Sequence, residues 1–446
     1  MAGYLVQGHR RRRRRLSRAA GDTPAGGKEP GPTAASDTRR HDLDALRAAA
    51  MLLGIVLHGA LSFVKGFWPV EDVHAEADSG YGLLVVFIHG FRMQTFFLLS
   101  GFFTALLWRR RGLASLLRQR VLRVALPLAL GVVTIVPLMN WVSGLALRDR
   151  FGPRWKELFE AGSARGLDTW LESFHHLWFL WFLLWLMAGF ALVALAADRT
   201  GRAAGAAGVA ERQGGTGGAT RMWLWSMPAA ALAFELWSES GNFYKGKHYG
   251  SWGPATSAGL VPDLAVLGYY AAFFAFGSLL YCARTRGGEP LRSTFGSWGW
   301  HWIGATALLV LVPFGLNLTY ESDAWVLASV VEVLQTWAVV YALIGLFAAL
   351  MSRHRYWVRY VSDAAYWMYL FHLPLILAGQ RMIDNWALPA GLKFVGLVVV
   401  VSAVLLVSYR LFVRYTPIGW LLNGRRAKPS ASPAAAQARP RAPGDG

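Results

Sequence analysis

The stretch LRAAAMLLGIVLHGALSF, residues 46–63, decides how the rest of the chain is read. It is long and apolar enough to cross a bilayer as a helix, which takes about 20 residues. Yet Arg47 stands at one end and His58 well inside. His58 lies eleven residues beyond Arg47, and at 1.5 Å per residue that is about 16 Å, roughly half of a 30 Å hydrocarbon core. Arg47 is therefore expected near one interface and His58 near the midplane.

Outward from this stretch the pattern repeats. Of 446 residues, 54% are hydrophobic and 16% charged, with 21 Trp and 25 Phe, too apolar for a soluble chain. The expected fold is all-α, a polytopic integral membrane helix bundle. Apolar windows fall near 45–65, 82–107, 121–143, 174–197, 222–237, 261–283, 298–316, 325–350, 361–381 and 391–413, about ten spans. Placing both termini in the cytoplasm puts Arg109, Arg110, Arg111, Arg118, Arg120 and Arg123 in one inner loop and Arg353, Arg355 and Arg359 in another. Glu71, Asp72, Glu76 and Asp78 then lie outside, as do Glu321 and Asp323, while Arg425, Arg426 and Lys428 return to the inner side. The expected location is the inner, cytoplasmic membrane.

Three domains are expected. Residues 1–40, with the run Arg10 to Arg15, read as a disordered basic cytoplasmic arm without the apolar core of a cleavable signal. Residues 41–424 form the transmembrane domain, and 425–446 a low-complexity cytoplasmic tail. The net charge of +19 suggests topology and anionic lipid, not nucleic acid, because no basic stretch is interleaved with a reading motif. The Gly-rich segment 200–220 lacks the order of a phosphate-cradling loop and reads as an inner linker. Cys282 has no partner for an intrachain disulfide, and no internal repeat of the transporter kind is visible.

Ionisable groups at membrane depth are expensive and usually face a bundle interior. His89 and Arg92 stand one helical turn apart in HGFRMQTFFLLSGFF, residues 89–103. Glu332 and His372 fall inside the eighth and ninth windows, at depths expected to converge with His58. Glu332 reads equally well as a counter-ion for Arg92. His175 reads as interfacial, and His176 is left open between packing and site. Trp68, Trp298 and Trp302 read as interface belt residues. Ser100, beside Gly101, reads as close helix packing more readily than as a nucleophile. Six arginines without an acidic neighbour suit either topology or an anion such as phosphate.

These parts allow one chemistry. A phosphate-bearing cofactor docks on the inner arginines while a thin arm reaches the midplane, as a coenzyme A thioester would. A neutral imidazole takes the proton of an attacking hydroxyl, a role worth about 10²- to 10⁴-fold. Arg92 or His89 stabilises the oxyanion.

At these residues the chain resembles the membrane acyltransferase-3 family, whose members move acyl groups from cytoplasmic acyl-CoA to sugars and other acceptors on the far side. Arg47 and His58 reproduce its Arg-x10-His pattern after DLDAL (42–46), and Arg120 with Arg123 its Arg-x-x-Arg element. The stretches HLWFL (176–180), YLFHLPL (369–375) and RYTPIGWLLNG (414–424) are most similar to the glucan biosynthesis protein C branch. Ala48 stands where many polysaccharide-acetylating members have Gly. The resemblance implies a catalytic His58 supported by Arg47, site roles for His89, Arg92 and His372, and acyl-CoA contacts from Arg120 and Arg123. The chain's own pattern adds Asp44 and Glu332 to the expected catalytic set and Arg118 to the expected acyl-CoA contacts. It implies succinyl-CoA or acetyl-CoA as co-substrate, with no metal. The expected partners are a glycan acceptor and membrane lipids, with a homo-oligomer left open. The competing readings are a proton-coupled glycan or lipid transporter and an assembly scaffold.

Overall fold

The computed structural model describes residues 40–65, 68–75, 80–153, 174–199, 218–244, 257, 259–287, 303–311, 314, 324–353 and 355–423. Several features read from the sequence lie outside these residues. They are the arm up to residue 39, Glu76, Asp78, most of the Gly-rich linker, the Cys282 side chain, Trp298, Trp302, Glu321, Asp323 and the tail.

Every regular element among the described residues is helical. Helix α1 is His41–Ala60, extended by a 3₁₀ turn to Phe63; Asp42 and Asp44 occupy its first turn, where the helix dipole favours carboxylates. Helix α2 (Tyr81–Arg120) continues through a π turn at Val121–Ala125 into α3 (Leu126–Phe151). Next come α4 (Trp178–Arg199), α5 (Gly218–Tyr244) and α6 (Leu264–Gly287). Helices α7 (Trp325–Leu350), α8 (Tyr356–Ile383), α9 (Ala390–Ser408) and the short α10 (Pro417–Asn423) complete the described chain.

The arginine-rich segment corrects one expectation. Instead of an inner loop over 109–123, the chain stays helical on both sides of a single residue, Gly112, at φ +77° and ψ 171°. That conformation is close to glycine-only, and the surrounding Arg, Leu, Gln and Ala are strong helix formers. Arg120 Nη2 donates to Thr104 Oγ1 at 2.9 Å although sixteen residues separate them, which a straight helix would place about 24 Å apart. The chain therefore turns back sharply at Gly112.

Among the described residues six stretches are long and apolar enough to cross a membrane: His41–Phe63, Tyr81–Phe151, His175–Ala197, Leu264–Tyr281, Trp325–Leu350 and Ala390–Val413. The second is 71 residues long and holds two of the windows read from the sequence. Helices α5 and α8 occupy two more windows without reaching that apolarity. In α8 the reason is Ser362, Asp363, His372 and Gln380, all buried. Lipid-type surface is plain on α9, where Lys393, Leu397, Val401 and Leu405 form the buried row and Val395, Val399, Val400, Val404 and Val407 point outward.

Helix α1 packs against α2, α7, α8 and α9, and α6 against α2 and α5. Phe273 stacks on Trp337 at 4.3 Å between α6 and α7, and Phe97 meets Tyr270 at 4.6 Å between α2 and α6. The α2–α6 crossing brings backbones together. A Cβ on Gly101 would lie 1.9 Å from the Phe274 carbonyl oxygen, and one on Gly277 1.9 Å from that of Leu98. Ser100 thus belongs to a small-residue helix contact.

Gly101→Val is expected to destabilise the protein by about 1–3 kcal/mol or more, since no backbone can move aside cheaply. Gly189→Ala, where nothing lies within 4 Å, should be neutral. Thermal unfolding of the two variants in detergent checks the contrast; equal Tm values would contradict the backbone contact.

Candidate active site

Helices α1 and α8 are bonded along their length. At one end Arg47 Nη2 donates to Ser362 Oγ (2.8 Å) and to the Ser362 carbonyl (3.2 Å), with Asp44 3.5 Å from the same guanidinium. At the other, Gln380 Nε2 donates to the carbonyls of His58 (2.9 Å) and Gly59 (3.3 Å). His58 therefore has a fixed backbone. Arg47, three turns away along α1, supports the helix pair and not the imidazole itself.

Between these ends three imidazoles meet. The His58 and His372 rings are 5.2 Å apart at 43°, and the His372 and His176 rings 5.2 Å apart at 82°. His372 Nδ1 lies 2.8 Å from the Tyr369 carbonyl and 3.1 Å from that of Met368, so Nδ1 carries the proton. His372 Nε2, His58 Nδ1 and Arg92 Nε are buried without a hydrogen-bond partner among the described residues. Arg92 lies against α1 at Gly54, one turn before His58: a Cβ there would meet Arg92 Nη1 at 2.2 Å. His372, Arg92, His176 and His89 all lie within electrostatic range of His58.

The side of His58 toward Gln380 is covered by the segment after α1. Trp68 is not a belt residue: it is 8% exposed and stacks on the His58 ring at 6.0 Å and 25°. Its Nε1 donates to Gln380 Oε1 (2.8 Å), so one amide holds both the His58 backbone and the indole above it. Arg150 donates to the Trp68 carbonyl (3.3 Å) and pairs with Glu71 (2.7 Å). Asp72 pairs with Lys393 of α9 at 2.5 Å, with both side chains buried. Val73 N–H donates to the Asp384 carbonyl (3.1 Å). Partial burial raises the Asp384 carboxyl above its ordinary range, with Asp72 and Asp149 adding to the effect. The strap is pinned at four points.

The arginines lie toward the other end of α8. Arg120 donates to Thr104, and the carbonyl of Arg123 accepts from Tyr366 Oη at 2.7 Å. Tyr366 is one turn from Ser362, the partner of Arg47, so Arg47, Arg120 and Arg123 share one stretch of α8. Arg118 is exposed.

Glu332 is placed differently from the expectation of convergence on His58. It is buried on α7 within electrostatic range of Glu235 on α5 and of Tyr269 and Tyr270 on α6. Glu235, 1% exposed, was legible as a carboxylate inside the fifth apolar window, yet the sequence reading passes over it. His175, expected at the interface, is buried, with Nε2 2.6 Å from Asn140 Oδ1. Trp68, Gln380 and Lys393 are the other contributors that sequence reasoning missed.

The arrangement gathers three imidazoles and a guanidinium inside the helix bundle. Those are the parts for attack of a hydroxyl on a carbonyl. The acyltransferase-3 profile, described as Acyltransferase domain, matches residues 40–413. Glucans biosynthesis protein C of Escherichia coli K12 is 36% identical over 143 residues, 32% of this chain and 35% of that protein. The proteins of the same name from E. coli strains O6:K15:H31 and SMS-3-5 match to the same extent. The matched region thus spans about a third of these curated relatives. No solved structure matches the chain.

Breaking one side of a buried ion pair costs about 3–5 kcal/mol because a bare charge stays behind. Lys393→Met should therefore lower Tm and speed hydrogen exchange over residues 68–75, and Asp72→Leu in the same chain should recover most of the loss. Unchanged exchange in Lys393→Met would show that the pair does not hold the strap.

Proposed function

This chain belongs to the acyltransferase-3 family, and from that premise we propose that it is an integral membrane O-acyltransferase. It transfers a succinyl or acetyl group from acyl-CoA on the cytoplasmic side to a hydroxyl of a glycan on the far side. The observation that carries the reading is the meeting of His58, His372 and Arg92 inside the bundle, with buried nitrogens that have no hydrogen-bond partner among the described residues.

The acyl-CoA phosphates dock on Arg120 and Arg123, with Arg118 at the exposed rim, and the thioester extends along α8 toward His58. The acceptor arrives past Trp68. Its hydroxyl oxygen forms a bond to the thioester carbonyl carbon while His58 takes the hydroxyl proton. Arg92, with His89 beside it, stabilises the oxyanion. The carbon–sulfur bond then breaks, and His58 returns the proton to sulfur, giving the ester and free CoA. Arg47 and Asp44 hold α1 against α8 so that His58 keeps its place. The family resemblance supports the acyl-CoA donor, and the name of the relatives supports a glucan acceptor. The ten-span topology with both termini inside, in the inner membrane, is supported by the charge distribution.

A specific observation favours the transporter alternative: Glu235 and Glu332 are buried carboxyl groups within electrostatic range of each other, on helices apart from the imidazoles, as a proton relay would need. One assay separates the readings. Membranes holding each variant are given labelled succinyl-CoA or acetyl-CoA with glucan oligosaccharides, and transferred label is counted. His58→Ala should abolish transfer, while Arg120→Gln should raise KM for acyl-CoA with kcat little changed. Gly54→Ala, which displaces the Arg92 guanidinium without touching backbone, should cost about 10²- to 10³-fold in kcat at unchanged Tm. Full transfer by His58→Ala would remove the base from the mechanism and favour transport.

A further inference from the structure

His176 is buried in the 3₁₀ turn His175–Leu177 that leads into α4, and the mechanism above makes no use of it. Its environment is built from a proline. Pro374 lies inside α8 and has no N–H, so the Leu370 carbonyl four residues earlier lacks its helical donor. His176 Nε2 lies 3.1 Å from that oxygen. A carbonyl only accepts, so Nε2 carries the proton and Nδ1 holds a lone pair; Nδ1 is buried without a partner among the described residues.

The turn itself is locked. Tyr369 Oη donates to the His176 carbonyl at 2.6 Å. His175, at φ +45°, is the single non-glycine residue with positive φ among the described residues, and its ring is held by Asn140. A left-handed conformation at such a residue persists only where surrounding contacts impose it. The product of these constraints is an edge-on contact between the His176 and His372 rings, and His372 in turn touches His58. Both supporting rings have their protons committed to α8 carbonyls, so the nitrogens left over are lone pairs. Neither ring can donate to His58 in this arrangement; they can brace it and accept from its protonated form.

We infer that His176 is a positioning residue for acyl transfer: seated on the carbonyl that Pro374 leaves open, it holds His372 edge-on, and His372 holds the His58 ring. The inference rests on the reading of His58 as the base.

The test uses full-length protein in membranes, labelled succinyl-CoA or acetyl-CoA and glucan oligosaccharides, with kcat and KM for acyl-CoA measured separately. His176→Leu should lower kcat by about 10- to 100-fold, the scale of a small misplacement in a reacting geometry, with KM for acyl-CoA within about twofold. His176→Gln keeps an N–H that reaches the Leu370 carbonyl and should restore kcat to within about threefold of the parent. Pro374→Ala returns a backbone donor to that carbonyl and should lower kcat in the same sense without loss of protein. The double variant should be no worse than the poorer single one, since both act through one contact.

Parental kcat in His176→Leu, a Gln variant no better than the Leu variant, or additive losses in the double variant would each overturn the inference. If His176→Leu fails to accumulate, Pro374→Ala decides, and parental kcat there overturns it. His58→Ala is run alongside. Lost transfer there with parental rates in His176→Leu ends this inference alone, whereas retained transfer in His58→Ala ends the base reading and this inference with it.

Discussion

The pairing of α1 with α8 is the constraint on which the rest depends. A polar group buried in an apolar bundle costs free energy unless it finds a hydrogen bond, and these two helices supply one another. Ser362 takes Arg47 at one end, Gln380 takes the His58 and Gly59 carbonyls at the other, and His372 meets His58 between them. The residues that keep α8 from being a plain apolar span are the ones that build the site. Its proline belongs to the same design, since the carbonyl it frees is filled by His176 from the 3₁₀ turn that leads into α4.

From this pairing the molecule acquires two ends. Toward Ser362 and Tyr366 the arginines gather, behind the sharp turn that Gly112 permits. Toward Gln380 the segment with Trp68 folds back over His58 and is strapped down by Arg150 and by the Asp72–Lys393 pair. A thioester coming from the first end and a hydroxyl coming past the second would meet at one imidazole.

Much of this was legible in the chain, for identifiable reasons. The apolar windows announce helices because a bilayer needs about 20 such residues. His58, His89, Arg92 and His372 stand out because charge or imidazole at that depth is rare, and the structure does gather them. The α2–α6 contact was readable at Gly101. What was not legible depends on contacts far apart in sequence. Trp68 looks like any interfacial tryptophan until Gln380 is placed beneath it. The arginine cluster looks like a loop until a single glycine makes a turn between two helices. Glu332 was expected at the depth of His58, but depth says nothing about azimuth, and its helix turns it toward Glu235 and the tyrosines. His176 needed the knowledge that a proline elsewhere leaves a carbonyl open.

The central claim is spatial, that a thioester drawn from Arg120 and Arg123 ends beside His58 and Arg92. A cryo-EM structure of the full chain with a non-hydrolysable acyl-CoA analogue tests it most directly. The arrangement predicts the phosphates on Arg120 and Arg123, the analogue's carbonyl within hydrogen-bond reach of Arg92, and its carbon facing the His58 ring. An analogue whose acyl end lies elsewhere in the bundle, with the His58–His372 contact undisturbed and closed to it, would contradict that claim.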